Sequence, residues 1–293
     1  MFHLVTFHLY MVYSIRNISY ESRGDFTMED AAIRARLAPI RCFLLDMDGT
    51  FYLGDRLIEG SLDFLAALER TGRTARFLTN NSSKSARVYA QKLERMHVPA
   101  QYRDVISSGH AAAHYCLKRF PGQAGYLLGN PMLREELTGM GLTFTEDDPA
   151  YVLVAFDTTL DYKKMCKTCD FIREGKPYIA THPDFNCPTE TGFIPDMGAI
   201  MAFIEASTGR KADVILGKPY EGIVREALER TGFSLAEMAM VGDRLYTDVA
   251  TGVNHGMTGI LVLSGEATMA DVAVSAVQPD LIFPRLSSMI PYL

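Results

Sequence analysis

Short apolar runs alternate with helix-favouring stretches along most of the chain. Most of the runs have no polar alternate, as is typical of strands that are covered on both faces; they lie at residues 42–45, 75–78, 105–106, 214–216, 238–241 and 260–263. Between the runs, helical patterns occur at residues 62–70, 85–96 and 220–230. Strands and helices that alternate in this way predict an α/β fold with a doubly wound parallel sheet.

The middle of the chain has an alternation of its own. Strands are predicted at residues 126–128, 151–156 and 178–180, and helices at residues 131–140 and 199–207. We interpret this stretch as a second α/β domain inserted into the first. Residues 28–121 and 213–293 are then expected to form the core, and residues 122–212 the inserted domain.

The first 27 residues differ from the rest. Residues 2–15 are mostly apolar and aromatic, and residues 17–27 are polar without periodicity. A secretory signal has a basic residue ahead of its apolar stretch, whereas the first one here is Arg16. We therefore expect residues 1–27 to be a poorly ordered extension and ordered structure to begin near Met28.

The amino-acid composition argues against several classes of protein and of binding partner. Hydrophobic residues make up 48% of the 293 residues, which excludes an intrinsically disordered protein. The net charge of −6 argues against binding to nucleic acid or an anionic membrane, since both need an excess of Lys and Arg. Five cysteines form no disulfide framework and suit a reducing compartment. We expect a cytoplasmic protein that contacts neither nucleic acid nor membrane.

Polar residues follow four of the apolar runs. They include Asp46 and Asp48, Thr79 and Asn80, Lys218, and Asp243. Ligands of an open parallel sheet bind beyond the carboxyl ends of its strands, so we expect these side chains to meet in one crevice.

These residue types suit chemistry on a phosphate ester. Clustered carboxylates favour Mg²⁺, and an aspartate can attack phosphorus. Two like charges about 4 Å apart repel by about 4 kcal/mol at an effective dielectric of 20, so phosphate can approach Asp46 only if a metal and Lys218 neutralise the site. Thr79 and Asn80 are candidates to orient the phosphoryl oxygens. Asp48 is a candidate to protonate the leaving group and later to activate water.

The strings DMDGT, LTNN, GKP and GDRLYTD, in this order, resemble the four motifs of the haloacid dehalogenase (HAD) phosphatase superfamily. The insertion between the second and third motifs is similar to the α/β cap of the NagD and para-nitrophenylphosphatase branch. The resemblance implies Asp46 as nucleophile and Asp48 as acid and base. It also implies Mg²⁺ held by the Asp46 carboxylate, the Asp48 carbonyl and Asp243, with Asp248 acting directly or through water.

The resemblance implies a Mg²⁺-dependent phosphatase that forms an aspartyl-phosphate and hydrolyses small phosphomonoesters such as sugar phosphates or nucleoside monophosphates. Members of the family also dimerise through the cap. In the predicted cap, His182 in the Pro-rich loop is our candidate for contact with substrate. A phosphoryl transferase with an acceptor other than water, and a ligand-binding module with little turnover, stay open as alternatives.

Overall fold

A computed structural model describes residues 19–20, 26–27, 29–189 and 192–293. The strands are β1 (Ser19–Tyr20), β2 (Phe26–Thr27), β3 (Cys42–Leu45), β4 (Tyr52–Leu53), β5 (Arg56–Leu57), β6 (Thr74–Thr79), β7 (Val105–Ser107), β8 (Tyr126–Leu128), β9 (Val152–Val154), β10 (Tyr178–Ala180), β11 (Asn186–Thr189), β12 (Gly192–Pro195), β13 (Val214–Ile215), β14 (Met238–Gly242), β15 (Thr258–Val262) and β16 (Leu281–Phe283). The α-helices are α1 (Asp30–Leu37), α2 (Ser61–Arg70), α3 (Ala86–Arg95), α4 (Ser108–Arg119), α5 (Pro131–Gly139), α6 (Tyr162–Arg173), α7 (Met197–Thr208), α8 (Glu221–Thr231), α9 (Ala250–Asn254) and α10 (Met269–Val274). A π-helical segment (Leu245–Val249) precedes α9, and 3₁₀ segments lie at Ala100–Tyr102, Leu235–Glu237 and Leu286–Tyr292.

The larger sheet has six strands in the order β16-β15-β14-β3-β6-β7. Every neighbouring pair is parallel. Side chains alternate along each strand, so Phe43 and Leu45 of β3 enter one hydrophobic cluster while Cys42 and Leu44 enter another. Both faces of the sheet are therefore buried, which explains why the central strand β3 is apolar at every position.

Helices cover both faces of this sheet. On one face, apolar residues of α2 and α3 pack in the cluster that contains Phe43. On the other face, residues of α4 and α8 pack in the cluster that contains Leu44. The predicted doubly wound α/β core is thus confirmed.

The smaller sheet has four parallel strands in the order β13-β10-β9-β8. The prediction that the run at residues 214–216 belongs to the core is wrong, because Val214 pairs with Ile179 of β10. Both sheets require apolar strands, so an apolar run does not show which sheet it joins. The chain leaves the smaller sheet only after Ile215, a few residues beyond the predicted boundary at 212/213.

The two sheets share part of their hydrophobic interior. One cluster contains Leu44 and Leu78 of the larger sheet together with Leu127, Leu153 and Ile179 of the smaller one. The inserted unit is therefore packed onto the core through buried apolar side chains as well as through its connecting segments.

Three two-stranded antiparallel pairings complete the described fold: β1 with β2, β4 with β5, and β11 with β12. The last lies in the segment that was predicted to be a Pro-rich loop. Most of the predicted extension, residues 1–27, lies outside the described residues. In the part of the chain that the structure describes, no helix is both long and apolar enough to span a membrane.

Candidate active site

Asp46 directly follows β3, where the chain leaves the larger sheet. Its backbone N–H donates to Val241 O at 2.9 Å, which continues the pairing of β3 with β14 and fixes the start of the turn. Gly49 in this turn has a φ of +85°, and a Cβ atom there would lie 2.4 Å from Asp243 Oδ2. Glycine thus permits both the left-handed backbone and the close approach of the Asp243 carboxylate.

Three carboxylates meet beside this turn. Oxygen atoms of Asp46, Asp243 and Asp248 all lie within 4.8 Å of one another. Burial raises the pKa of Asp46 well above its usual range, and the charges of Asp248 and Asp243 raise it further, against the opposing effect of Lys218. Burial, followed by the charge of Asp248, raises the pKa of Asp243 to about 6. Hard oxygen ligands in such a cluster fit a divalent cation.

Backbone donors hold two of these carboxylates in place. Asp243 Oδ2 accepts a hydrogen bond from Glu266 N at 2.8 Å. Asp248 Oδ2 accepts one from Arg244 N at 3.1 Å, because the π-helical segment turns Asp248 back towards the end of β14. Each carboxylate therefore has a fixed orientation before any ligand binds.

Lys218 supplies a buried positive charge to the cluster. Its side chain is 3% exposed, and its Nζ donates to Asp46 Oδ1 at 2.5 Å and to Asp248 Oδ1 at 2.6 Å. Burial alone would lower the pKa of Lys218, but the carboxylates of Asp248 and Asp46 raise it above its usual value. The ammonium therefore stays charged and offsets part of the repulsion among the carboxylates.

Asn80 locks the backbone that carries this lysine. Its Oδ1 accepts from Lys218 N at 2.6 Å, and its Nδ2 donates to Lys218 O at 3.0 Å and to Asp184 Oδ2 at 3.1 Å. Both amide hydrogens of the Asn80 side chain are thus engaged. This side chain therefore supports Lys218. Asn80 also lines the pocket, so its predicted contact with the phosphoryl group stays a prediction.

Thr79 and Asp48 face the same pocket as Asp46. Thr79 ends β6, and its Oγ1 accepts a hydrogen bond from Asn81 N at 3.2 Å. Asp48 is exposed, yet the pocket walls remove part of its hydration and raise its pKa, against the charges of Lys92 and Lys84. A carboxyl group with a raised pKa is suited to proton transfer.

The structure does not bring His182 into the pocket. Its side chain is 0% exposed; Nε2 lies 2.9 Å from Asp196 Oδ1 and Nδ1 lies 3.0 Å from Thr181 Oγ1. Asp196 does line the pocket. The histidine therefore lies behind a pocket residue, and a direct contact with substrate, as expected from the sequence, is at odds with its burial.

Three charged residues that line the pocket were not predicted individually as site residues. They are Asp184, Asp196 and Arg244. Asp196 caps helix α7, so its sequence signature is that of any helix N-terminus. Arg244 and Asp184 had better signals, since one adjoins Asp243 and the other lies two residues after His182.

A charged, metal-compatible crevice at the strand ends of a doubly wound sheet, next to an inserted α/β unit, defines a class of enzymes that act on phosphoryl groups. Sequence comparison is consistent with this. The family model of the haloacid dehalogenase-like hydrolases matches residues 43–143, and a second HAD-hydrolase-like model matches residues 215–289.

Individual relatives match along most of the chain. An acid sugar phosphatase from Staphylococcus aureus is 37% identical over 254 residues, which are 86% of this chain and 98% of that protein. The crystal structure of a 4-nitrophenylphosphatase from Thermotoga maritima is 46% identical with a TM-score of 0.84, and the match covers 87% of this chain and 98% of that one. NagD from Escherichia coli is 31% identical with a TM-score of 0.78 over 85% of this chain and 97% of its own.

The chain belongs to the haloacid dehalogenase-like hydrolases, in the branch of NagD and the para-nitrophenylphosphatases. It is an enzyme, a hydrolase of the phosphatase type.

Proposed function

We propose that this protein hydrolyses small phosphomonoesters with Mg²⁺, through an aspartyl-phosphate formed on Asp46. The observation that carries the proposal is the position of Asp46, which lies 2.5 Å from Lys218 Nζ and within 4.8 Å of the Asp243 and Asp248 carboxylates. A nucleophilic carboxylate needs this neighbourhood, because positive charge must offset its repulsion from a phosphate dianion.

The donor set supports Mg²⁺ as the ion. Asp46, Asp243 and Asp248 would hold it, with the backbone carbonyl of Asp48 as a further ligand. All the side-chain donors are oxygens, and the chain offers no thiolate or imidazole in this cluster of described residues. When bound, Mg²⁺ supplies positive charge to the phosphoryl oxygens and to the carboxylates around them.

Each side chain of the site has a separate role in the proposed reaction. Asp46 attacks phosphorus while Lys218 neutralises charge beside it, and the Thr79 hydroxyl orients a phosphoryl oxygen. Asn80 acts through the backbone of Lys218, to which its side chain is hydrogen-bonded. Asp248 accepts a second hydrogen bond from the lysine ammonium, beside the one to Asp46.

Asp48 carries the proton in both halves of the reaction. In the first, its carboxyl group protonates the departing alkoxide; in the second, its carboxylate takes a proton from the water that attacks the aspartyl-phosphate. Its raised pKa and its place on the pocket wall support this role.

We further propose that the predicted cap, residues 122–212, extends to the end of β13 at residue 215 and selects the leaving group, and that residues 28–121 and 216–293 perform the chemistry. Cap residues Asp184, Asn186 and Asp196 line the same pocket as Asp46, which supports this division. The names of the relatives, an acid sugar phosphatase and a 4-nitrophenylphosphatase, favour small soluble esters. A homodimer through the cap is part of the proposal, and sedimentation velocity of the purified chain tests it.

Release of inorganic phosphate from para-nitrophenyl phosphate tests the function. We expect activity with Mg²⁺, loss of activity with EDTA, and loss of activity in Asp46→Asn. Nitrophenol that appears only when an alcohol acceptor is added, together with a new phosphate ester of that alcohol and no inorganic phosphate, would indicate a phosphoryl transferase. Equal residual turnover in the parent and in Asp46→Asn would indicate a binding module.

A further inference from the structure

The cap contributes two buried carboxylates to the pocket. Asp184 and Asp196 are 6% and 3% exposed, and both line the pocket that contains Asp46. Oxygen atoms of the two carboxylates and a ring nitrogen of His182 lie within 4.8 Å of one another. Burying two carboxylates costs desolvation free energy. A ligand that donates hydrogen bonds to them, on the leaving-group side of the pocket, would offset that cost.

Within the described structure, Asp196 is held in place by hydrogen bonds to only one of its two carboxylate oxygens. Its Oδ1 accepts from Met197 N at 2.6 Å and lies 2.9 Å from His182 Nε2. Among the described residues, no donor contacts its Oδ2. His182 is itself fixed by Thr181. The histidine and the helix N-terminus therefore orient Asp196 and leave its second oxygen for the pocket.

In the part of the chain that is described, Asp184 likewise makes a hydrogen bond through only one of its two carboxylate oxygens. Its Oδ2 accepts from Asn80 Nδ2 at 3.1 Å, whereas its Oδ1 is buried without a hydrogen-bond partner in the described structure. Arg244 Nη1 forms a long ion pair with Asp184 Oδ2 at 4.0 Å, while Arg244 Nε donates to Glu266 Oε2 at 2.8 Å. The cap residues that line the pocket include no lysine or arginine.

A metal ion is a poor occupant for this cluster. His182 Nε2 already lies at hydrogen-bond distance from Asp196, and Asp184 already accepts from Asn80. The second oxygen of Asp196, which lacks a donor among the described residues, instead matches a ligand that brings a hydroxyl hydrogen, and the Asp184 carboxylate adds negative charge beside it. A carboxylate or a second phosphate in the leaving group would face like charge without a cap cation to offset it.

We propose that Asp196, positioned by His182 and assisted by Asp184, determines leaving-group specificity: it accepts a hydrogen bond from a hydroxyl group of a neutral polyol leaving group and rejects leaving groups that carry an anionic substituent. This inference rests on the proposed phosphatase function. It assigns His182 a positioning role in place of contact with substrate.

Steady-state hydrolysis of sorbitol 6-phosphate and phosphoglycolate tests the proposal. The first substrate has a neutral polyol leaving group and the second a carboxylate. For the parent enzyme we expect kcat/KM to be at least tenfold higher for sorbitol 6-phosphate. A parent that prefers phosphoglycolate would overturn the proposal without any variant. If the parent releases phosphate from neither ester nor from para-nitrophenyl phosphate, the proposed function fails instead.

Asp196→Asn sharpens the test, because asparagine keeps an acceptor for Met197 N and His182 but replaces the second oxygen by a donor. We expect the ratio of kcat/KM values, sorbitol 6-phosphate over phosphoglycolate, to fall at least tenfold, mainly through KM. Asp161→Asn is the matched control. Asp161 is the exposed N-cap residue of helix α6 in the cap domain, and it accepts a hydrogen bond from Lys164 N at 2.8 Å. The ratio should not change in this variant. An equal loss for both substrates in Asp196→Asn would show a merely structural role and overturn the proposal.

Discussion

At the scale of single residues, the site depends on one lysine whose positive charge offsets the negative charges of two carboxylates. Lys218 is nearly inaccessible to solvent, and its charge is fixed between Asp46 and Asp248. A charge that is already oriented in a water-poor site stabilises a developing transition state without reorganisation. Its side chain should therefore matter to the rate more than an exposed lysine of the same chain.

Lys218→Met tests this directly. Methionine fills a similar volume without charge, so kcat/KM for para-nitrophenyl phosphate should fall at least tenfold, or about 1.4 kcal/mol of transition-state stabilisation. Lys163→Met, at an exposed position of α6, is the matched control and should keep the parental value. A change of less than twofold in Lys218→Met would contradict the role given to the ammonium.

The residue types were readable from the sequence, but their contacts were not. Asp46, Asp243 and Lys218 converge as predicted, because strand ends of a parallel sheet meet at one edge. Asn80 and His182 were both predicted to contact the substrate. The Asn80 side chain lines the pocket and is hydrogen-bonded to Lys218, whereas His182 is buried against Asp196. Which neighbour takes a polar side chain depends on the packing of distant segments, and local sequence does not contain that information.

At the scale of elements, the turn between β3 and β4 brings the acidic groups together. Gly49 has a left-handed backbone conformation there. The Asp243 carboxylate occupies the space that a Cβ atom at position 49 would take. The turn thus links the position of one strand end to that of its neighbour β14.

Gly49→Ala should separate the two effects of this glycine. Alanine at a positive φ costs about 1–2 kcal/mol of stability, and its methyl group would also displace Asp243. Gly122→Ala is the matched control, because Gly122 has a φ of +71° but no atom within 4 Å of the place that an alanine methyl group would take. We expect both variants to lower the unfolding free energy, measured in urea, and only Gly49→Ala to weaken Mg²⁺ binding, measured by calorimetry. Equal Mg²⁺ affinity in the two variants would contradict the account.

Elements with strong periodicity were predictable, whereas short ones were not. Strands β8 and β10 have the predicted bounds, and α2 and α8 differ from prediction by one residue at their ends. The β11–β12 hairpin was missed because its exposed strands contain Pro188 and Pro195 and lack an apolar alternation. The hydrophobic pattern of such strands therefore does not predict their pairing.

At the scale of the whole molecule, a buried cluster of three carboxylates destabilises the metal-free fold at neutral pH. The pKa of Asp243 is raised to about 6 in the folded state, so the folded protein binds more protons than the unfolded chain at mildly acid pH. The stability that this group contributes is present below its unfolded pKa and is lost as pH rises through about 6. A cation that binds the deprotonated cluster should restore it.

Mg²⁺ should therefore raise Tm more at pH 7 than at pH 5, because cation and protons compete for the same oxygens. Differential scanning calorimetry with and without Mg²⁺ at the two pH values measures this. Asp243→Asn should lose most of the gain at pH 7. A Mg²⁺-induced rise in Tm that is equal at both pH values, or unchanged in the variant, would show that the ion binds elsewhere.

The central claim, that Asp46 becomes phosphorylated, is tested most directly by acid-quenched Asp48→Asn after reaction with para-nitrophenyl phosphate and Mg²⁺. Nitrophenolate needs little help from an acid to leave, whereas hydrolysis of the aspartyl-phosphate needs the Asp48 base, so the intermediate should accumulate. Peptide mass spectrometry should then find one added phosphoryl group, on Asp46, and none in Asp46→Asn under the same conditions. A phosphoryl group on another residue, or turnover with no phosphorylated peptide at any quench time, would contradict the account.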